Sequence, residues 1–323
     1  MIIRLKFTYF LFFALILNSC EKEEFVGPPV ESIYGALEIL ETFSHNKPVG
    51  VDFSLGDTVK FSSEFSVLSD YQIDIVGKNS GASYSINGSS SNLNDAYWLG
   101  NSDNIFFKQY EWCDITLSFN NYDTILNDSV LILGERDLSN LGLLLTSFED
   151  PSEYSIVTSS NNDEFTVYSN SNIALHGNSY LNTLGIGSSS WFGAARFILS
   201  NNSITEQDPT KIYFNGFFNS DFLGSAFVIK VFEDENANGS YDSGIDEAYA
   251  LKVNLITDSQ WHKYSHSFSS FVIDQSGNNI LVDGILNPQN IIRIDITNSQ
   301  SGSGNGQFGY LADYFLITYN EPL

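Results

Sequence analysis

Residues 249–255 read YALKVNL. Tyr249, Leu251, Val253 and Leu255 fall on one side of an extended chain, with Ala250, Lys252 and Asn254 on the other. A period of two marks a strand with one buried and one wetted face, because successive side chains of an extended backbone point opposite ways. The alternation recurs along the chain. DTVKF (57–61) sets Val59 and Phe61 against Lys60, and YQIDI (71–75) sets Tyr71, Ile73 and Ile75 against Gln72 and Asp74. DITLSF (114–119) aligns Ile115, Leu117 and Phe119, and IIRIDIT (291–297) aligns Ile292, Ile294 and Ile296. Clusters of Gly, Asn, Asp and Ser between these runs read as turns. Helical periodicity is almost absent, so no helices are available for parallel crossovers. The expected fold class is all-β, built from antiparallel sandwiches.

The 323 residues carry a formal charge of −25 and are 15% aromatic, enough to support real cores. Such a chain repels phosphates, which argues against nucleic acid as a partner. GERDLSNLG (134–142) interrupts two strand-rich regions with polar residues and is the expected boundary. The regions are 31–140, the size of an immunoglobulin-like sandwich, and 141–323, which fits a jelly roll. In the first, YWLGNSDNIFFKQYEWCDITLSF (97–119) resembles the late strands of PKD or bacterial Ig-like domains. Trp98 and Trp112 are expected to pack that sandwich, and Cys113 to be a buried free thiol.

The N-terminus carries a different signal. Arg4 and Lys6 precede a short apolar run, Phe7 to Leu17, and then Leu17-Asn18-Ser19-Cys20. The pattern fits a signal peptide over residues 1–19, and its last four residues resemble the lipobox of bacterial lipoproteins. The resemblance implies a lipidated Cys20, a lipid anchor as the only membrane contact, and a tether over 20–30. Removing residues 1–19 takes away Arg4 and Lys6 and no acid, so −25 becomes −27. Glu21-Lys22-Glu23-Glu24 resembles the acidic export signal of surface lipoproteins of the Bacteroidota, implying an outer-membrane protein facing the exterior.

The second region opens LLLTSFEDPSEYSI (143–156) and continues NIALHGNSYLNTLG (172–185). It then passes DSQWHKYSHSFSSF (258–271) and closes on GYLADYFLITY (309–319). This order resembles the galactose-binding-like jelly roll of carbohydrate-binding modules. In that fold the first and last strands adjoin and share a structural calcium, which implies Glu149 or Asp150 with Asp313, completed by carbonyls near His176-Gly177-Asn178. Solvated acids at strand ends remain the alternative. DENANGSYDSGIDE (234–247) makes a second calcium case. Asp234, Asn236 and Asn238 alternate before Gly239, the Ser240 carbonyl can add a ligand, and Asp242, Asp246 and Glu247 follow. The twelfth position, normally acidic, is Ile245, so Asp246 or Glu247 would have to close the shell. The flanks are strands, so the metal would clip a hairpin loop.

Sugar rings stack on exposed aromatic planes. Trp191 and Phe192 follow the small-residue run LGIGSSS, and together with Tyr180 they form the candidate platform. A partly buried structural Trp191 is the alternative, and Trp261 is expected in the core. No catalytic constellation is present. His262 and His266 lie on a strand without HExxH, there is no Gly-x-Ser-x-Gly elbow, and Glu111 and Asp114 would face opposite ways on a strand. The expectation is a non-enzymatic surface lipoprotein that binds a neutral polysaccharide on a calcium-stabilised jelly roll. The lipobox and acidic follow-on also resemble glycan-binding lipoproteins of polysaccharide-utilisation systems, which implies an outer-membrane glycan importer as partner. A structural or adhesion protein contacting other proteins is the alternative, and a glycoside hydrolase a third.

Overall fold

The structure is a computed structural model. It describes residues 35–158, 163–186, 191–274, 283–300 and 306–323. The expected signal peptide, lipidated Cys20 and tether lie outside these residues. Among the described residues the regular structure is all β, with short 3-10 turns and no α-helix, in two sandwiches.

The first sandwich comprises β1 (Ile39–His45), β2 (Val51–Asp52), β3 (Val59–Gly77), β4 (Ser83–Asn92), β5 (Tyr97–Trp98), β6 (Trp112–Phe119) and β7 (Tyr122–Gly134). DTVKF and YQIDI belong to one strand, the nineteen-residue β3. It changes partners along its length, pairing with β1 and β5 early and with β6 late, while β4 lies mostly along its second half. β7 runs antiparallel to β6 and parallel to the short β2. Trp98 fills the core between Phe53 and Phe107, with ring centroids 4.7 and 4.8 Å away, and its indole N–H donates to the Asn101 carbonyl at 2.8 Å. Cys113 is buried and unpaired, and burial pushes its thiol pKa well up. Trp112 corrects the expectation from sequence. It alternates with the inward Cys113 and Ile115 and is 48% exposed. Glu111 is fully buried, where it accepts the N–H groups of Asn79, Ser80 and Lys108 and the Ser80 hydroxyl. It pins the β3–β4 turn, and Asp114 pairs with Lys78 at the surface.

The second sandwich comprises β8 (Gly142–Thr146), β9 (Ser155–Thr158), β10 (Glu164–Ser169), β11 (Ser179–Ile186), β12 (Gly193–Ile198) and β13 (Ile212–Asn219), then β14 (Ser225–Glu233), β15 (Ala248–Asn254), β16 (Trp261–Ser267), β17 (Val272–Ile273), β18 (Ile291–Gln300) and β19 (Gln307–Tyr319). One sheet has the order β10-β11-β19-β13-β16, with β8 also on β19; the other runs β17-β15-β14-β18-β12-β9. First and last strands therefore adjoin. Gly142 allows this, because a Cβ there would meet the Ile317 carbonyl oxygen at 1.9 Å. Between the sheets the core is phenylalanine-rich. Phe218 of one sheet stacks on Phe227 of the other at 3.9 Å, and Phe315 contacts Phe148, Phe197 and Phe214. Each such ring contributes roughly 1.5–3 kcal/mol of burial.

A third apolar cluster joins the sandwiches. Phe106 of the first packs on Phe217 and Tyr314 of the second, at 4.6 and 5.0 Å. Lys108 Nζ crosses the junction to donate to the Ala174 carbonyl at 3.0 Å. Trp261 packs on this cluster as well, partly buried, with its indole N–H donating to the Ile173 carbonyl.

Candidate functional site

Of the three aromatic candidates, the structure leaves one at the surface. Trp191 is 41% exposed and lies two residues before β12. Phe192 is a correction: it is 1% exposed and packs between Phe165 and Phe308. The cause is distant in sequence. The Asn298 side-chain oxygen accepts the N–H groups of both Phe192 and Gly193 at 3.0 Å, turning the Phe192 ring inward. Tyr180 is a second correction, 6% exposed, because Tyr168 on the neighbouring strand lies over that edge and takes the exposed place. The Tyr168 hydroxyl donates to Glu164.

The pairing of β8 with the central β19 brings Glu149 and Asp313 to one loop. Glu149 Oε1 accepts the N–H groups of Asn178 and Ser179 at 2.6 Å, and Asp313 Oδ2 accepts those of Leu175 and His176 at 2.9 Å. Gly177 adopts φ +58°, and a Cβ on it would meet Glu149 Oε1 at 2.5 Å. Asp313 Oδ1 is buried without a partner. Burial raises the Asp313 pKa well above the carboxylate range; main-chain N–H groups oppose the shift and the Glu149 charge adds to it. A buried, unpartnered oxygen beside a second carboxylate fits a hard cation. Asp150 is exposed and accepts from Ser152 instead. Among the described residues no three acidic, histidine or cysteine side chains are grouped to hold a metal, so further oxygens would come from the main chain.

The 234–247 loop is closed by its own amides. Asp234 accepts from the N–H groups of Asn238 and Gly239, and Asp246 from those of Glu235 and Asp242. Asn236 and Asn238 side chains donate to Asp242 Oδ2, and Ser240 N–H donates to Asn238 Oδ1. Asp234 and Asp246 are buried, and Gly239 makes the reversal at φ +83°. Glu247 is a correction. It turns away from this set to accept the Tyr249 hydroxyl at 2.7 Å and the N–H groups of Asp283 and Gly284. There it neighbours Glu233, which is fully buried with Oε1 on the Asn287 N–H and Oε2 without a partner. Burial pushes the Glu233 carboxyl up to about 9, with Glu235 and Glu247 adding to the shift and the Asn287 N–H opposing it.

A further constellation escaped the sequence reading. On the β14–β18–β12 sheet, Ile229, Val231, Ile294, Ile296, Ala195 and Phe197 face the core. The alternate positions carry Lys230, Arg293, Asp295 and Arg196. Cross-strand register sets Asp295 opposite both Arg196 and Lys230, and Arg293 opposite Phe232. Arg196 forks onto Asp295 with two 3.1 Å hydrogen bonds. The Arg293 guanidinium carbon lies 3.4 Å from the Phe232 ring centroid and 5.4 Å from that of Tyr241. Lys230 pairs with Asp274 at 2.7 Å. The signal was in the polar half of IIRIDIT, whose apolar half defined the strand.

No family model matches this sequence, and no curated protein matches it. Solved structures give distant likenesses. The family 11 carbohydrate-binding module of the cellulosomal cellulase Lic26A-Cel5E of Clostridium thermocellum is 15% identical, over 55% of this chain and 94% of that one, with a TM-score of 0.39. The CBM22-1 xylan-binding domain from Paenibacillus barcinonensis Xyn10C is 14% identical over 56% and 96%, with a TM-score of 0.33. TmCBM61, in complex with β-1,4-galactotriose, is 13% identical over 56% and 97%, with a TM-score of 0.30. At these scores the functional argument rests on this chain's own residues.

Proposed function

We propose that this chain is a lipid-anchored surface protein that binds a polysaccharide through its second sandwich, with a predominantly neutral chain as ligand. The observation that carries this reading is the exposed Trp191 indole, 41% accessible beside a fully buried Phe192. An exposed indole costs solvation that stacking on the apolar face of a sugar recovers. Cys20 would hold the anchor, and an outer-membrane glycan importer would be the downstream partner. The −25 charge disfavours dense polyanions. Calcium would rigidify the module at Glu149 and Asp313, where the orphaned Asp313 oxygen supports it. A second ion would sit in the 234–246 loop, with Asp234, Asp242 or Asp246 as carboxylate ligands and main-chain oxygens completing its shell. The role is binding, with no reaction assigned.

The test is affinity electrophoresis of the chain from Glu21 onward against a panel of neutral polysaccharides, with and without calcium, alongside Trp191→Ala. Retardation by a neutral glycan that the variant loses supports the reading. A wild-type protein that no glycan retards refutes it.

A further inference from the structure

The Arg293 guanidinium is held in place by stacking and by an ion pair alone. Among the described residues it donates no hydrogen bond. Its Nε lies 3.3 Å from Asp295 Oδ1 but is left without a bonded partner, because Arg196 already occupies both Asp295 oxygens. Only the Nε is buried; the rest of the stacked guanidinium reaches the surface without an acceptor among the described residues. We propose that Arg293, backed by Arg196, forms a carboxylate-binding position that takes an acidic sugar unit spaced along an otherwise neutral polysaccharide. This rests on the polysaccharide reading above and names its ligand class more narrowly.

Three observations point to this ligand. First, the fork is preorganised. Stacking on Phe232, with Tyr241 beside that ring at 4.9 Å, fixes the guanidinium plane. Tyr241 reaches it from the 234–247 loop, so that loop positions the site. Second, the local charge is unbalanced. Within the ion-paired set two guanidinium groups face one carboxylate while Lys230 pairs with Asp274, so the set has one more cation than anion. Third, the site is reachable, with the Arg293 side chain 20% and that of Arg196 31% exposed. The overall negative charge does not contradict this. Screening over about 8 Å at physiological salt confines it, so a dense polyanion is repelled while a lone carboxylate meets the local arginines. Trp191 lies five residues before Arg196, at most about 17 Å of extended strand, a span that a few sugar units cover.

The test uses 4-O-methylglucuronoxylan and the same polymer with its carboxyl groups reduced to alcohols. Binding of both to the chain from Glu21 onward is measured by calorimetry, with melting curves confirming that each variant folds. The wild type should bind the acidic polymer at least tenfold more tightly than the reduced one. Arg293→Lys, which keeps charge and loses the fork, should erase that preference without changing affinity for the reduced polymer. Arg196→Gln should erase it too, because Asp295 then captures Arg293. Equal binding of both polymers, or a preference surviving in Arg293→Lys, overturns the assignment and leaves the polysaccharide reading standing. If neither polymer binds, titration with glucuronate, glucose and glucose 6-sulfate decides, followed by NMR of the arginine Nε–H signals. A shift of the Arg293 signal by glucuronate alone supports the carboxylate position even though the polymer reading has failed. No shift, or a larger shift with the sulfate, overturns it.

Discussion

Glu233→Gln should make this protein more stable. In the fold Glu233 is fully buried and its carboxyl is pushed up to about 9, whereas in an unfolded chain it titrates at its ordinary value of 4.5. The folded state therefore holds a proton that the unfolded state releases. Stability from this group is fully present below the unfolded pKa and is lost as pH rises toward the folded one. The loss is about 1.4 kcal/mol per pH unit, reaching about 3 kcal/mol at pH 7. Glutamine has nearly the same shape and carries no charge. Its oxygen can accept the Asn287 N–H, and its amide can donate where Glu233 Oε2 now has no partner, toward Glu235 and Glu247. Melting temperatures would be followed between about pH 5 and about pH 8, with chelator present to keep bound cations out of the comparison. The variant should melt about 8 °C higher than wild type at pH 7. The gap should shrink toward pH 5 and widen toward pH 8. Parallel curves for the two proteins would refute the reasoning, because they would mean that Glu233 is ionised in the fold and compensated by something else.

Phe192→Ala should destabilise the second sandwich by about 3–5 kcal/mol, while Trp191→Ala changes stability by no more than about 0.5 kcal/mol; paired denaturant titrations compare them. Calcium at a hundredfold excess over its dissociation constant should add about 2.7 kcal/mol for each occupied site, and Asp313→Asn should lose the part of the rise in melting temperature that belongs to the Glu149–Asp313 site. Glu111→Ala strands three main-chain N–H groups and the Ser80 hydroxyl, and should cost the first sandwich about 2–4 kcal/mol in denaturant unfolding.

The strands were legible because their signal is local. Every apolar face read from DTVKF, YQIDI and DITLSF is buried in the structure. Sequence could not show that DTVKF and YQIDI form one strand, because β3 continues through polar residues while its partners change. The aromatic platform was legible only by composition. Which of Trp191 and Phe192 turns inward is decided by Asn298, more than a hundred residues away. The acids of the 234–247 loop were visible as a cluster. The departure of Glu247 depends on Tyr249 and on main-chain donors at 283 and 284. The arginine cluster was hidden because Arg196 and Asp295 become neighbours only through β12–β18 pairing.

The parallel pairing of β2 with β7 has a mechanical consequence. Val51 pairs with Ile132 and Asp52 with Gly134, and the chain leaves the first sandwich just beyond Gly134. Once β1 has been drawn off β3, tension between the N-terminal side and the second sandwich pulls β2 and β7 in opposite directions along their length. Their hydrogen bonds are then loaded in shear and must break together, whereas a perpendicular pull would peel them one at a time. A protein tethered at its N-terminal side, with its ligand held beyond the junction, would thus meet drag on the captured polymer with the stronger geometry of its first sandwich.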